Sequence, residues 1–573
     1  MKKILLPALL LASAIVSAQL NNRFYSSGNA ALVSTIGAYG NNTFLEWRQV
    51  QQYPSSAYNW SYADGLIQQN QAAGLHTIIT LKCVHPLSGD DTTAGTCAYL
   101  LDNGTSDNNS NWPLVGTDTT KWKNFVNDLV DRYDGNGTND MPGLIYPVRQ
   151  WHIIGQEWKR VWCDVPYADT SFASTQEFVK LVNMTYAVIK NKQPTDTVSC
   201  AGIDTRNQSE TFYDGYFPSS DSIVCISPSC TSQINGTKSQ LASSPTFLAN
   251  RRNVMYIFKH TQFDEVDLHE YGRWKHIPDF VNWAKDSTFG KPVIFLEMGG
   301  PFCQACETLY HSPSDTDGRL PAPLVRDNAS SVVYYYIIGL ASGVRKLHWH
   351  LGQEYSAWGA WWGDLDLFSI NNVPKPSAYT YRFLAKDIFS NANADTVIKV
   401  AEANPALYHY QINPMGMNVI WSTNASDTYT ITGTGTLYRW DIPITCDSLY
   451  PTYCDSVVQS SSINVSGSTT INLNNGVPVF YSWNNVLTAS EYVTDLNNYS
   501  VKIYPNPSTG IFTIQSLEKI STIEIVTLLG EKIYQSTLDN QQSTIDLSAQ
   551  PKGIYFLQVK NKNRIINKKL IIQ

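Results

Sequence analysis

Between about Gln19 and Phe389 the chain alternates apolar, strand-like runs with amphipathic, helix-like ones, and few folds accept that pattern over such a length. Thr43 to Trp47 (TFLEW) reads as a strand. Ser61 to Ala73 follows, with Tyr62, Leu66 and Ile67 at helical spacing, and Gly74 stands where a helix ends. His76 to Leu81 (HTIITL) is the next strand, and Trp122 to Tyr133 (WKNFVNDLVDRY) an amphipathic helix. Val148 to Ile154 is strand-like, and Ser174 to Lys190 is helical, with Ser174 and Glu177 at capping-box spacing. Thr197 to Ile203, Val266 to Leu268, Val293 to Leu296 and Lys346 to Trp349 supply further strands. Ala30 to Ile36 is the best candidate for the first. Strand and helix in alternation build a parallel sheet, most economically an α/β fold closed as a (β/α)8 TIM barrel over residues 19–392.

The texture changes near Asp395. Short alternating runs such as LYHYQI, MNVIWS, YTITG, TINLN and VPVFYSW, separated by Asn, Gly, Ser and Thr turns, predict a small β-sandwich over residues 393–487. A polar linker, 488–498, leads to a third unit, 499–573, again patterned as strands with Pro and Gly turns. A chain of 573 residues is expected to divide in this way, since domains hold roughly 150 residues each.

The first residues read as an export signal. Met1-Lys2-Lys3 is followed by an apolar run, Ile4 to Val16, and by small residues at Val16-Ser17-Ala18, which predicts a Sec signal peptide over 1–18 cut before Gln19. The run is too short to span a bilayer comfortably. In an exported chain the ten cysteines should mostly pair, with Cys83–Cys97, Cys225–Cys230 and Cys446–Cys454 as local candidates. Cys303 and Cys306 could be a redox or zinc motif, but with no second pair at zinc spacing a loop disulfide is the simpler reading. The net charge of −7 is spread along the chain and gives no reason to expect nucleic acid or an acidic membrane as partner. Sixteen Trp and 33 Tyr, many beside Gly, Asn and Asp, suit either a core or a ligand with an apolar face and polar edges.

Active sites of such barrels lie at the C-terminal ends of the strands. Glu157 closes the stretch WHIIGQEW, and Glu297 ends PVIFLE. Counted along the chain, these follow the fourth and seventh strands, so both carboxyls should face one mouth. Cleavage of a glycosidic bond needs such a pair, one acid to protonate the leaving oxygen and one carboxylate to attack or to activate water.

With these residues in place, the region from about Thr43 to Phe389 resembles the clan A retaining (β/α)-barrel glycoside hydrolases. The resemblance implies that Glu157 is the acid/base and Glu297 the nucleophile. It implies that Tyr271, in the DLHEY stretch from Asp267, hydrogen-bonds the nucleophile while His269 lines the pocket. Trp349 in LHWHLG would be the floor under the sugar. Gln156 stands where the clan has Asn, whose amide meets the sugar's 2-hydroxyl; Gln keeps the amide but adds a methylene, so that contact is made from a shifted backbone or lost. His85 is a further pocket candidate, Trp47 and Arg48 either line the pocket or simply pack, His152 is read as a core residue within reach of the site, and Trp358, Trp361 and Trp362 as platforms for extra sugars or as loop packing. Tyr504-Pro-Asn-Pro, the Gly510 turn, Lys552-Gly-Ile-Tyr555 and the basic Lys568-Lys569 occur in the order seen in type IX secretion sorting domains of Bacteroidetes, which the last unit resembles. The expectation is a secreted or cell-surface retaining glycoside hydrolase, monomeric, acting on β-linked poly- or oligosaccharides without metal or organic cofactor. Its other expected partner is the type IX machinery. A catalytically weak carbohydrate-binding barrel or a surface adhesin is the alternative.

Overall fold

Eight strands, all parallel, close into a barrel in the computed structural model, in the order β1-β8-β7-β6-β5-β4-β3-β2. The structure describes residues 21–573 apart from 52–55, 84–116, 156–171, 205–223, 226–234, 237–242, 244, 272–273, 301–321, 351–365, 369–373, 391–393, 445–457, 488–500, 528–530 and 562–563. The barrel strands are β1 (Phe24–Ser26), β2 (Gly40–Glu46), β3 (His76–Lys82), β4 (Gln150–Gly155), β5 (Thr197–Asp204), β6 (Glu265–Tyr271), β7 (Val293–Gly299) and β8 (Leu347–Trp349). Helices α1 (Ala30–Thr35), α2 (Trp47–Val50), α3 (Ser61–Ala72), α4 (Thr117–Tyr133), α5 (Phe172–Lys192), α6 (Pro245–His260), α7 (Ile277–Ser287) and α8 (Ala322–Ala341) lie between successive strands, and α9 (Pro376–Arg382) follows β8.

The first strand differs from expectation. Ala30–Thr35 is a helix, capped by Asn29, whose side chain accepts the Ala31 N–H. The strand is Phe24–Ser26, three residues long and too short to show a period of two. Likewise α5 begins at Phe172, so Ser174 lies inside the helix and not at its cap.

Alternation along the strands separates two environments. Phe24, Leu45, Ile79, Leu81, Trp151, Ile153, Val266, Leu268, Phe295, Met298, Leu347 and Trp349 point outward into the large core shared with the helices. Inside, toward the N-terminal end, Tyr25, Ile78, Ile294 and Leu296 form a small separate cluster. Tyr25 Oη accepts from Gln150 Nε2 at 2.9 Å, and Lys346 Nζ donates to the buried Glu265 at 2.5 Å. The lower interior is filled in this way, and the polar groups that remain inside lie nearer the C-terminal mouth.

After the barrel, β9 (Ala394–Val400), β10 (Leu407–Pro414), β11 (Met417–Ser422), β12 (Ser426–Asp441), β13 (Gln459–Asn474) and β14 (Val479–Ser482) form one antiparallel sheet, ordered β9-β10-β11-β14-β12-β13. Hydrogen bonds link these six strands into one continuous sheet. The long β12–β13 hairpin supplies the second apolar layer, setting Ile431, Leu437, Val465 and Ile471 with Ile420, Val479 and Tyr481. The opposite face, with Val419, Trp421 and Phe480, joins the barrel's own core. There the Trp421 ring lies 4.9 Å from that of Tyr334 on α8, and Phe480 lies 5.2 Å from Phe383. Tyr334 Oη also donates to the Gly476 carbonyl.

The last unit has its own core around Phe512, Ile514, Ile523, Ile525, Leu557 and Leu570. Its strands are β15 (Val501–Tyr504), β16 (Ile511–Thr527), β17 (Lys532–Asp546), β18 (Gly553–Asn561) and β19 (Arg564–Ile572), all antiparallel. Gly510 has a φ of +118°, and a Cβ there would run into the Ser548 backbone, so the turn requires glycine. Among the described residues no helix is long and apolar enough to cross a membrane. Each cysteine pair expected from the sequence has at least one member outside the described residues, as does the whole signal segment.

Because the sheet and the barrel share one core, Trp421→Ala should weaken both. Loss of a buried Trp costs about 3–5 kcal/mol. Calorimetry is expected to show the barrel transition moving down with the sheet's; an unmoved barrel transition would mean that the two are energetically separate.

Candidate active site

One irregularity in β7 builds the site. Between Phe295 and Met298, β7 uses three steps where β8 uses two, from Leu347 to Trp349. The same extra residue appears against β6, where Asp267 and His269 pair with Ile294 and Glu297. Leu296 belongs to the inner cluster and Met298 to the outer core, so the extra residue falls at Leu296–Glu297 and turns Glu297 inward. In unbroken alternation from Ile294, the glutamate would have faced the helices.

The inward carboxylate meets a ring of partners. Glu297 Oε2 accepts from Tyr271 Oη at 2.9 Å and from His269 Nδ1 at 3.1 Å. His269 Nε2 in turn donates to Asp267 Oδ2 at 2.8 Å. Asp267 is fully buried, and its Oδ1 accepts the Leu296 N–H at 2.8 Å. His152 of β4 places Nε2 3.6 Å from the same Asp267 oxygen, while its Nδ1 lies 3.1 Å from Ser199 Oγ of β5. His350, just past β8, sets its ring edge-on to Tyr271 at 6.0 Å.

Charge decides the protonation states. Burial alone would lower the pKa of His269, but the carboxylates of Glu297 and Asp267 outweigh it and raise the value to about 10. Burial would raise that of Glu297; the charges on His269 and His350, and hydrogen bonds from His269 and Tyr271, hold it well below the ordinary carboxylate value. The result at neutral pH is an imidazolium between two carboxylates. Burial pushes His152 down to about 4 and His348, the inward residue of β8, down to about 3, so both are neutral.

Of the residues singled out in the sequence, the structure brings His269, Tyr271 and Glu297 together. Glu157, Gln156 and His85 lie outside the described residues, as do Trp358, Trp361 and Trp362; β4 ends at Gly155, two positions before Glu157. Trp349 does not face the mouth. On β8, His348 takes the inward position, and Trp349 is buried outward with its ring 5.9 Å from Tyr335 and 6.5 Å from Tyr336. Trp47 is likewise core. It opens α2, packs 5.6 Å from Trp122 and 5.8 Å from Phe125, and donates Nε1 to Gln51. Trp151 points outward too, into the core, and donates to Asp196.

Asp267, His348 and His350 were not assigned roles from the sequence. The D-x-H-x-Y spacing of Asp267, His269 and Tyr271 places all three on one face of a strand, and that period was the available signal. An exposed aromatic, Phe44, stands near the end of β2 with Lys82 Nζ 5.0 Å from its ring center.

Residues 502–573 match the family described as the secretion system C-terminal sorting domain. The C-terminal unit is a secretion sorting domain. No curated protein matches the sequence. Among solved structures, a family 39 glycoside hydrolase from the gut symbiont Bacteroides cellulosilyticus WH2 is similar at 12% identity, TM-score 0.50, covering 82% of each chain. A glucosidase from Croceicoccus marinus aligns at 11% identity and TM-score 0.45, over 81% of this chain and 96% of that one. A GH30 endoxylanase from Clostridium papyrosolvens C71 aligns at 12% identity and TM-score 0.42, over 81% and 97%. The likeness is one of fold: a closed parallel barrel followed by antiparallel sheet.

The raised pKa of His269 fixes the sign of a stability effect. The contribution of the cation is whole below the ordinary value of 6.5 and is lost as pH rises through about 10. Urea unfolding of the wild type should therefore show a loss of stability between neutral pH and pH 10 that His269→Gln lacks. Parallel profiles for the two proteins would contradict an imidazolium at this position.

Proposed function

We propose that the chain is a secreted glycoside hydrolase that cleaves β-linked poly- or oligosaccharides by double displacement with retention. The observation that carries this reading is the bulge-turned Glu297, ionised and partly buried at the C-terminal end of β7, with β4 ending two residues before Glu157. Glu297 attacks the anomeric carbon while Glu157 gives its proton to the departing oxygen, leaving a glycosyl ester on Glu297. Glu157, now a carboxylate, takes a proton from water, which attacks the anomeric carbon, displaces the Glu297 carboxylate and frees the sugar with its configuration kept. Tyr271 and His269 hold Glu297 ionised, as a nucleophile requires. Glu157 must stay protonated at working pH, which burial of its carboxyl would achieve. Gln156 would reach the 2-hydroxyl with one methylene more than the Asn of the clan. The sorting domain supports export by type IX secretion, and the signal-like segment Met1 to Ala18 supports Sec passage before it.

A 2-deoxy-2-fluoro aryl glycoside, which slows the second step more than the first, tests the reading. Intact-mass analysis should show one sugar bound and peptide mapping should place it on Glu297. Glu157→Gln is expected to lower turnover by about 10²- to 10⁴-fold, the usual contribution of an acid/base group. No adduct and no turnover across a panel of aryl glycosides and polysaccharides would favour a carbohydrate-binding barrel, the outcome toward which Gln156 points.

A further inference from the structure

We infer that Asp267 is the positioning residue of this site: one carboxylate oxygen pins the β7 bulge that aims Glu297, and the other holds His269 in its doubly protonated form against it. The inference rests on the glycosidase reading for its catalytic consequence, but its physical content does not.

The bulge creates a need. An extra residue in a strand leaves backbone groups out of the ladder, and a buried N–H without a partner is costly. The Leu296 N–H, at the bulge itself, is taken by Asp267 Oδ1. Asp267 therefore closes the irregularity that turns the adjacent Glu297 inward. Its second oxygen sets the state of His269. An ionised carboxylate only accepts hydrogen bonds. His269 has Asp267 on Nε2 and Glu297 on Nδ1, so both ring nitrogens must carry hydrogen. A neutral imidazole would turn a lone pair toward one of the two carboxylates.

The surroundings support this assignment. Among the described residues, the groups that face the pair are Tyr271 from β6, Glu297 from β7, His152 from β4, and His348 and His350 from β8 and its end. His152 and His348 are held neutral by burial and do not replace the charge. Asp267 thus acts on Glu297 through two intermediaries, the bulge and the imidazolium.

Asp267→Asn separates the two effects. The amide oxygen still accepts from Leu296, but the amide nitrogen confronts His269 Nε2 with a second hydrogen, so His269 must lose its proton there. Nitrogen-15 NMR of the histidine-labelled full chain reads this directly, with the His269 signals assigned by their loss in His269→Gln. The wild type should keep an imidazolium at His269 beyond about pH 8, and Asp267→Asn should lose it below that pH. Should the Asn variant fold poorly, Asp267→Ser removes the same charge with less bulk and is read in the same titration. In kcat/KM, the acid limb governed by Glu297 should rise by about one to three pH units, the effect of losing an adjacent opposite charge. KM should change less than kcat. An imidazolium that persists to the same pH in both variants, or an acid limb that does not move, overturns the proposal. The NMR result stands even if no glycoside is turned over. Turnover with an unaltered His269 titration defeats this inference alone.

Discussion

Two carboxylates face each other across one histidine inside a closed barrel, and much of this molecule serves that arrangement. Removing an ionised carboxylate from water costs several kcal/mol, and two unpaired carboxylates side by side would not both ionise. The His269 ring resolves the conflict by donating to Asp267 and to Glu297 at once. The price is geometric. Asp267 and His269 must be two apart on β6, and Glu297 must sit level with His269 on β7, which only the extra residue at Leu296–Glu297 allows.

The rest of the fold keeps that geometry rigid. Outward-facing aromatics such as Trp151, Trp349 and Phe24 lock the strands to the helices, so side-chain positions inside the barrel are set by packing outside it. Trp349 and Tyr336 hold β8, and through it His348 beside the site. The antiparallel sheet extends the same core past α8, joined through Tyr334 and Trp421. A site dependent on distances near 3 Å gains from a scaffold that leaves its strands little freedom.

Much of the architecture was legible in the sequence because it rests on period and spacing. Alternating HTIITL and WKNFVNDLVDRY segments announce the barrel and put Glu297 at its mouth, while the resemblance to clan A hydrolases is what implies His269 and Tyr271 beside it. The misreadings share a cause. β1 and β8 are each three residues long, so neither displays which residues face in; Ala30 to Ile36 reads as a strand but holds a helix, and Trp349, which the resemblance makes the floor under the sugar, packs outward. Trp47 is conspicuous in sequence, but one turn of helix after β2 carries it into the outer core. Asp267 escaped notice for a different reason. Its importance comes from a bulge on the neighbouring strand, and a bulge has no signature in the strand's own residues.

The account stands on His269 being a cation at rest, and neutron diffraction from deuterium-exchanged crystals near neutral pH observes that state without any substitution. Deuterium on both ring nitrogens of His269, with none on either oxygen of Asp267 or Glu297, is the predicted result. A single deuterium on the ring, with the other hydrogen found on a carboxyl oxygen, would contradict it.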